Sequence, residues 1–240
     1  MKRDLIGTTL MIHQDKDQAF NLDTILLAHF TRVPYRIKSV LDFGTGSGAL
    51  CLYLSQKTKA HITGIDVHVD HIQRATYNAS INGLEHQITF MEKDIKTITQ
   101  KDFNQIDVIV SNPPFFKSLG HHKKNDNIVK SIARHEIMID LETLIHKASI
   151  CLKYGGSFQM IHRPDRLSEI IDIAKKNHLE VKRIQMVHPY IDKKANHVLV
   201  EAIKYGKPGL VIEPPLILYH QKHEMTEALK KIYKGEAYAT

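Results

Sequence analysis

The sequence predicts an α/β protein built on a doubly wound, mostly parallel sheet, and three observations carry that expectation. Short apolar runs alternate with helical patterns between residues 38 and 178. A cluster of glycines stands where the first of those runs gives way to a helix. The last two strand-like runs, "LEVKRIQMVHP" and "NHVLVEAIKYG", are joined only by "YIDKKA". That link is too short for a crossover helix, so the pair closes the sheet as an antiparallel hairpin. Five strands and the hairpin together make a seven-stranded sheet.

Each element has its own justification. "FNLDTILLAHF" carries apolar residues at helical spacing, with Asn21 or Asp23 available as a cap. "KSVLDFG" reads as the first strand of the alternation, "GALCLYLSQKT" as an amphipathic helix and "HITGID" as the second strand. "HVDHIQRATYNASING" is a helix stopped by Gly83. "QITFMEKD" is the third strand and "IDVIVSN" the fourth, which ends at two prolines because neither ring has an N–H for a ladder. After a polar, basic stretch, "DLETLIHKASICLKYGG" reads as a helix ending on its two glycines. "SFQMIHR" is the fifth strand, and "PDRLSEIIDIAKKN" a helix with Pro164 in its first turn. Near the end, "EMTEALKKIYKG" reads as an amphipathic surface helix.

The bulk numbers narrow the classes. The chain has 240 residues, 42% hydrophobic, which suits one domain. No apolar run approaches the roughly 18 residues of a membrane span, and "MKRDLIGTTLMIHQD" lacks the apolar stretch of a signal peptide. Cys51 and Cys151 fit neither a disulfide framework nor metal-ligand spacing, so a cytoplasmic location is expected. A net charge of +7 favours a polyanionic partner.

Ligands of doubly wound sheets bind outside the carboxyl ends of the strands, so the informative residues should follow strands. "DFGTGSGAL" places Gly44, Gly46 and Gly48 at the first such junction, where glycine lets backbone approach a ligand. Read from spacing alone, the loop also satisfies the dinucleotide fingerprint G-x-G-x-x-A, so NAD and other nucleotide-like cofactors stay open. Asp66 ends the second strand, where a carboxylate can accept from a ribose diol. Asp94 ends the third and could accept from an adenine amino group.

Asp42, two residues before the first glycine, makes the loop D-x-G-x-G-x-G. That pattern resembles motif I of class I S-adenosylmethionine-dependent methyltransferases, which have a Rossmann-like fold. The resemblance implies that Asp42 and the glycines hold the methionine end of S-adenosylmethionine, Asp66 its ribose and Asp94 its adenine. "SNPPF" resembles the Asn-Pro-Pro-Tyr/Phe motif of methyltransferases acting on planar amide or amine nitrogens. An exocyclic amino group is a poor nucleophile because its lone pair is delocalised into the ring. The side-chain oxygen of Asn112 and the carbonyl of Pro113 can accept its two hydrogens and free the lone pair, with Pro114 adding rigidity. Phe115 offers a ring on which a base can stack.

Adenine in nucleic acid, guanine in ribosomal RNA and a glutamine side chain in release factors all suit this motif. The stretch after it carries Lys117, Lys123, Lys124, Lys130 and Arg134, a basic rim expected to meet a phosphate backbone. With "FNLDTILLAHF", "ARHE", "IDLETL", "RPDRLSEI" and the closing "GKPGLVIEPPLILY", the chain resembles the tRNA(1)(Val) adenine-37 amino methyltransferase family over nearly its whole length. That resemblance implies methylation of the adenosine 3′ of the anticodon, with tRNA as partner. It divides the chain into a closing segment 1–37, a catalytic core 38–205 and an extension 206–240. A non-catalytic RNA-binding module is the reading of a different class, and a monomer is the default. Asp66, His68, Asp70 and His71 cluster in "IDVHVDHI", but capping acids at a helix start explain them, so no metal is expected.

Overall fold

The computed structural model describes residues 2–14, 21–114 and 139–236. Its central sheet runs in the order β10-β8-β9-β7-β6-β3-β4-β5, with β11 also paired to β8. The seven expected strands are β3 (Ser39–Phe43), β4 (His61–Asp66), β5 (Ile88–Glu92), β6 (Ile106–Ser111), β7 (Leu152–His162), β8 (Leu179–His188) and β9 (His197–Lys204). All are parallel except β9, which lies antiparallel between β7 and β8. Two short strands, β10 (Val211–Ile212) and β11 (Leu216–Ile217), extend the sheet to nine by pairing with β8. Further hairpins join β1 (Lys2–Asp4) to β2 (Met11–His13) and β12 (Tyr219–Gln221) to β13 (Glu224–Met225).

Residues of β6 alternate between two apolar cores. Val108 and Val110 enter a core shared with α1 (Leu22–Phe30), α2 (Ala49–Ser55), α3 (Val69–Ser80), hairpin β1–β2 and α6 (Glu227–Tyr233). Ile109 enters the core of the other face, shared with α4 (Leu141–Cys151) and α5 (Leu167–Lys176). Burial on both faces explains why the central strand is a continuous branched run.

Two expectations are corrected. The helix α4 stops at Cys151, and β7 starts at Leu152, so Gly155 and Gly156 lie inside a strand. Gly155 takes φ +73°, and a side chain on Gly156 would meet the carbonyls of Ile106 and Asp107. The glycines therefore admit an irregular parallel pairing, whose register shifts between Ile106 and Val108. The second expectation, an amphipathic α2, fails because all seven of its residues are buried.

At its amino end α1 is capped by Asn21, whose side chain accepts from Thr24 N. At its carboxyl end the Lys57 ammonium donates to the carbonyls of Ala28 (2.8 Å), His29 (3.2 Å) and Thr31 (2.6 Å). A cation at that terminus meets the negative end of the helix dipole. Arg183 anchors the same end, donating to Phe30 O at 2.7 Å and pairing with Glu201 at 2.7 Å.

Hairpin β1–β2 is held by side chains standing in for a neighbouring strand. Asn82 accepts from Met11 N (2.8 Å) and donates to Met11 O (2.7 Å). Asn78 does the same for His13, at 2.7 and 3.1 Å, and also donates to Ser47 O at 2.9 Å. Among the described residues no helix is long and apolar enough to cross a membrane.

Candidate active site

The carboxyl ends of β3, β4 and β6 meet at one point of the sheet, where Asp42, Gly44, Gly46, Thr24 and Asn112 line a pocket of about 220 Å³. The glycine loop takes a path that other residues avoid, with φ +78°, +54° and +80° at Gly44, Gly46 and Gly48. The loop is tied down from β4: Gly44 N and Thr45 N both donate to Ile65 O at 2.9 Å, and Gly46 N donates to Asp66 Oδ2 at 3.0 Å.

The three glycines serve different ends. A Cβ on Gly44 or Gly46 would have nothing within 4 Å, so open space lies above the loop. A Cβ on Gly48 would come within 2.8 Å of Phe90 Cζ and 3.1 Å of Ala75 Cβ, so this glycine serves packing of loop against α3. Gly64, which the sequence reading passes over, is closed in by Phe90 and Thr45 in the same way.

Asp42 is 1% exposed. Cys51 Sγ donates to its Oδ2 at 3.4 Å, and Thr45 Oγ1 lies 3.3 Å from that sulfur. Burial, opposed by hydrogen bonds from Thr45 and Cys51 and reinforced by the Asp66 charge, pushes the carboxyl pKa up to about 7. An acid held near neutrality below a glycine cradle is poised to receive a cation. Burial and the neighbouring carboxylate also push the Cys51 thiol well up, which keeps it from acting as a nucleophile.

Asp66 behaves oppositely. Burial raises its pKa, but contacts from His71 and His68 and the backbone N–H groups of His68 and Gly46 outweigh it and hold the carboxyl far below the usual range. His68 Nδ1 lies 2.9 Å and His71 Nδ1 3.2 Å from Oδ1. The three side chains form the one group of potential metal ligands among the described residues.

Asn112 extends from the end of β6 and donates through Nδ2 to Thr24 Oγ1 at 3.1 Å, across 88 positions of sequence. Asp23, next to Thr24, takes Asn21 Nδ2 at 2.9 Å and lies 3.2 Å from His197 Nε2. Pro113 is buried and Pro114 exposed. Asp94 stands two residues beyond β5, and its side chain accepts from Lys96 N at 2.8 Å, capping a 3₁₀ turn. The structure thus brings Asp42, Gly44, Gly46 and Asn112 to one pocket, ties Asp66 to its Gly46 N–H, and leaves Asp66, Gly48 and Asp94 outside the lining. Phe115, Lys117, Lys123, Lys124, Lys130 and Arg134 lie outside the described residues.

Sequence reasoning missed Thr24 and Gln14, and read Asn21 as a helix cap, which it is, but not as part of the pocket lining. Gln14 is buried and donates to Ser47 Oγ at 3.3 Å. Its one sequence signal is a polar residue directly after an apolar run.

A parallel sheet with an antiparallel strand inserted beside its last helical crossover, and a glycine loop over a buried acid, define a class I methyltransferase. The chain belongs to the methyltransferase-domain family, whose model matches residues 36–231. It is similar to the tRNA1(Val) (adenine(37)-N6)-methyltransferase of Pseudoalteromonas atlantica, at 28% identity over 92% of each chain. In structure it is similar to a predicted O-methyltransferase of Agrobacterium tumefaciens, with TM-score 0.70, 21% identity, and 89% of this chain and 96% of that chain covered. It is also similar to geranyl diphosphate C-methyltransferase of Streptomyces coelicolor A3(2) in complex with S-adenosyl-L-homocysteine, with TM-score 0.55, 11% identity, and 75% and 76% covered.

Proposed function

We propose that this chain transfers the methyl group of S-adenosylmethionine to the exocyclic amino group of an adenine in tRNA, the adenosine 3′ of the anticodon, in the cytoplasm. The observation that carries the reading is Asn112 sharing one pocket with Asp42 and the glycine loop. The residues fit the cofactor: Asp42 suits an ammonium, the open faces of Gly44 and Gly46 suit close backbone approach, and Asp66 suits a ribose diol. When bound, S-adenosylmethionine supplies an electrophilic methyl on a sulfonium. The rest of the chemistry belongs to this chain.

Asn112 donates its Nδ2 hydrogen to Thr24, which leaves Oδ1 as the acceptor for a substrate amine. The Pro113 carbonyl supplies a second acceptor on a rigid backbone. Two fixed acceptors bend the amino group toward tetrahedral geometry and concentrate its lone pair, with little reorganisation at the moment of transfer. Phe115 is assigned the stacking role and the basic rim, Lys117, Lys123, Lys124, Lys130 and Arg134, the phosphate contacts. The name of the Pseudoalteromonas relative supports tRNA as the substrate class.

The test is Asn112→Ala in a single-turnover assay. Turnover should fall at least about 100-fold with cofactor affinity within about twofold of the parent. Near-normal turnover rejects the mechanism. A tritiated-donor assay on total tRNA, ribosomal subunits and release factors, followed by nucleoside analysis, decides between adenine, guanine and glutamine.

A further inference from the structure

At the end of the sheet away from Asn112, three rings stand stacked in the open. Tyr154, from the start of β7, is 75% exposed, and Tyr205, just past β9, is 50% exposed. Their centroids are 5.6 Å apart with planes 18° from parallel. His178, just before β8, continues the stack against Tyr205 at 5.3 Å and 29°. Tyr154 lies in the irregular stretch of β7 opposite Ile106–Val108, four to six residues before Asn112 along β6, so its backbone is about 15 Å from the proposed active amide.

Packing does not account for this arrangement. Tyr154 belongs to neither apolar core. His178, just past the end of α5, and Tyr205 are held at φ +59° and +56°, in the left-handed region, which a tyrosine seldom adopts. A hydrogen bond from Tyr205 N to His178 O at 2.8 Å fixes the pair. Outliers of this kind gather where a surface has work to do. The surroundings are cationic: Lys175 and Lys176 end α5 beside His178, Lys204 and Lys207 flank Tyr205, and Lys182 reaches the Lys207 carbonyl at 2.9 Å. Lys204 Nζ lies 5.8 Å from the Tyr205 ring. Glu180 and Asp172 are the acids of the same stretch.

We propose that Tyr154, Tyr205 and His178 form a stacking platform for an unpaired base of an RNA strand, with Lys175, Lys176 and Lys207 meeting the adjoining phosphates. A flat aromatic face ringed by lysines suits a base and its backbone, because every base has a π-face and every linkage a charge. The platform goes beyond the proposed reaction and gives the protein a second hold on RNA, remote from the methyl-transfer pocket.

The experiment measures binding of the full chain to a fluorescent single-stranded oligoribonucleotide by anisotropy, at two salt concentrations and without methyl donor. Tyr154→Ala should weaken binding about tenfold, Tyr154→Phe should leave it within about twofold, and Lys207→Glu should lower the salt slope by about one. The assay reads binding with no methyl transfer, so its result stands whether or not the methylation mechanism survives its own test. The exposure of Tyr154 means that its variants should keep the parental melting temperature. Absence of measurable binding by the parent overturns the proposal, as does an unaffected Tyr154→Ala. Equal losses in Tyr154→Ala and Tyr154→Phe would replace stacking by a hydroxyl contact. A change in solution mass on substituting Tyr154 would make the stack an interface between copies, and either result also overturns the proposal.

Discussion

Asp42 makes cofactor binding depend on pH in a window that can be worked out. Its carboxyl titrates at about 7 in the free protein, and the ammonium proposed to sit on it requires the carboxylate. About 3% is ionised at pH 5.5 and about half at pH 7, so affinity should rise about 15-fold between them. That corresponds to about 1.6 kcal/mol, with a proton released per ligand bound at the acid end. Calorimetry with S-adenosylhomocysteine, in buffers of different ionisation enthalpy, reads both the affinity and the proton. Asp42→Asn keeps the shape and removes the titration, so it should bind more weakly than the parent at pH 7 with a flat profile over the window. The fold should respond with the opposite sign. A raised carboxyl is tolerated while neutral, so its stability is present below the unfolded value near 3.8 and lost as pH rises through about 7. The melting temperature of Asp42→Asn should therefore match the parent near pH 4 and exceed it near pH 7.5. A parent affinity that does not change between pH 5.5 and 7, with no proton released, refutes the assignment of Asp42 as the ammonium's partner.

Other substitutions separate architecture from chemistry. Gly48→Ala should cost about 2–4 kcal/mol by urea unfolding, from left-handed backbone and the clash with Phe90, whereas Gly46→Ala should cost about 1 kcal/mol and show chiefly as lost cofactor affinity. Asn78→Ala leaves backbone groups of His13 and Ser47 without their amide partner, so about 2–3 kcal/mol should be lost. Hydrogen exchange should accelerate at Met11–His13 in that variant before it does in β3. Arg183→Ala strands Glu201 in the interior and should cost about 3–5 kcal/mol by urea unfolding, with catalysis per folded molecule unchanged.

Much of this was legible in the chain because the signals are local. Val108–Val110 could only be an inner strand, Gly44 to Gly48 could only be a tight junction, and the six-residue "YIDKKA" could only join antiparallel neighbours. What escaped depends on distant partners. Strands β1 and β2 have three residues each, too few for periodicity, and are held by Asn78 and Asn82, about 70 positions away. Thr24 gains its role only when the fold brings Asn112 within 3.1 Å. The apolar positions of α2 suggested one wet face, but α2 lies wholly within the core, where even Tyr53 finds a partner in Ile6 O at 3.0 Å. The "YGG" at 154–156 misled because paired glycines usually stop helices, whereas these kink a strand.

The turn of the β1–β2 hairpin has a bearing on how the chain is made. Gly7 sits against Gly235 N and Tyr233 O, and Leu5 and Ile12 share their core with Leu229 and Ile232. Residues more than two hundred positions apart thus close one layer over α1 and α2. During synthesis the amino-terminal side chains emerge first and wait, greasy and uncovered, until nearly the whole chain has left the ribosome. This layer is completed only once residues 229–235 have emerged, and a fusion ahead of residue 1 that delays docking would prolong the sticky interval.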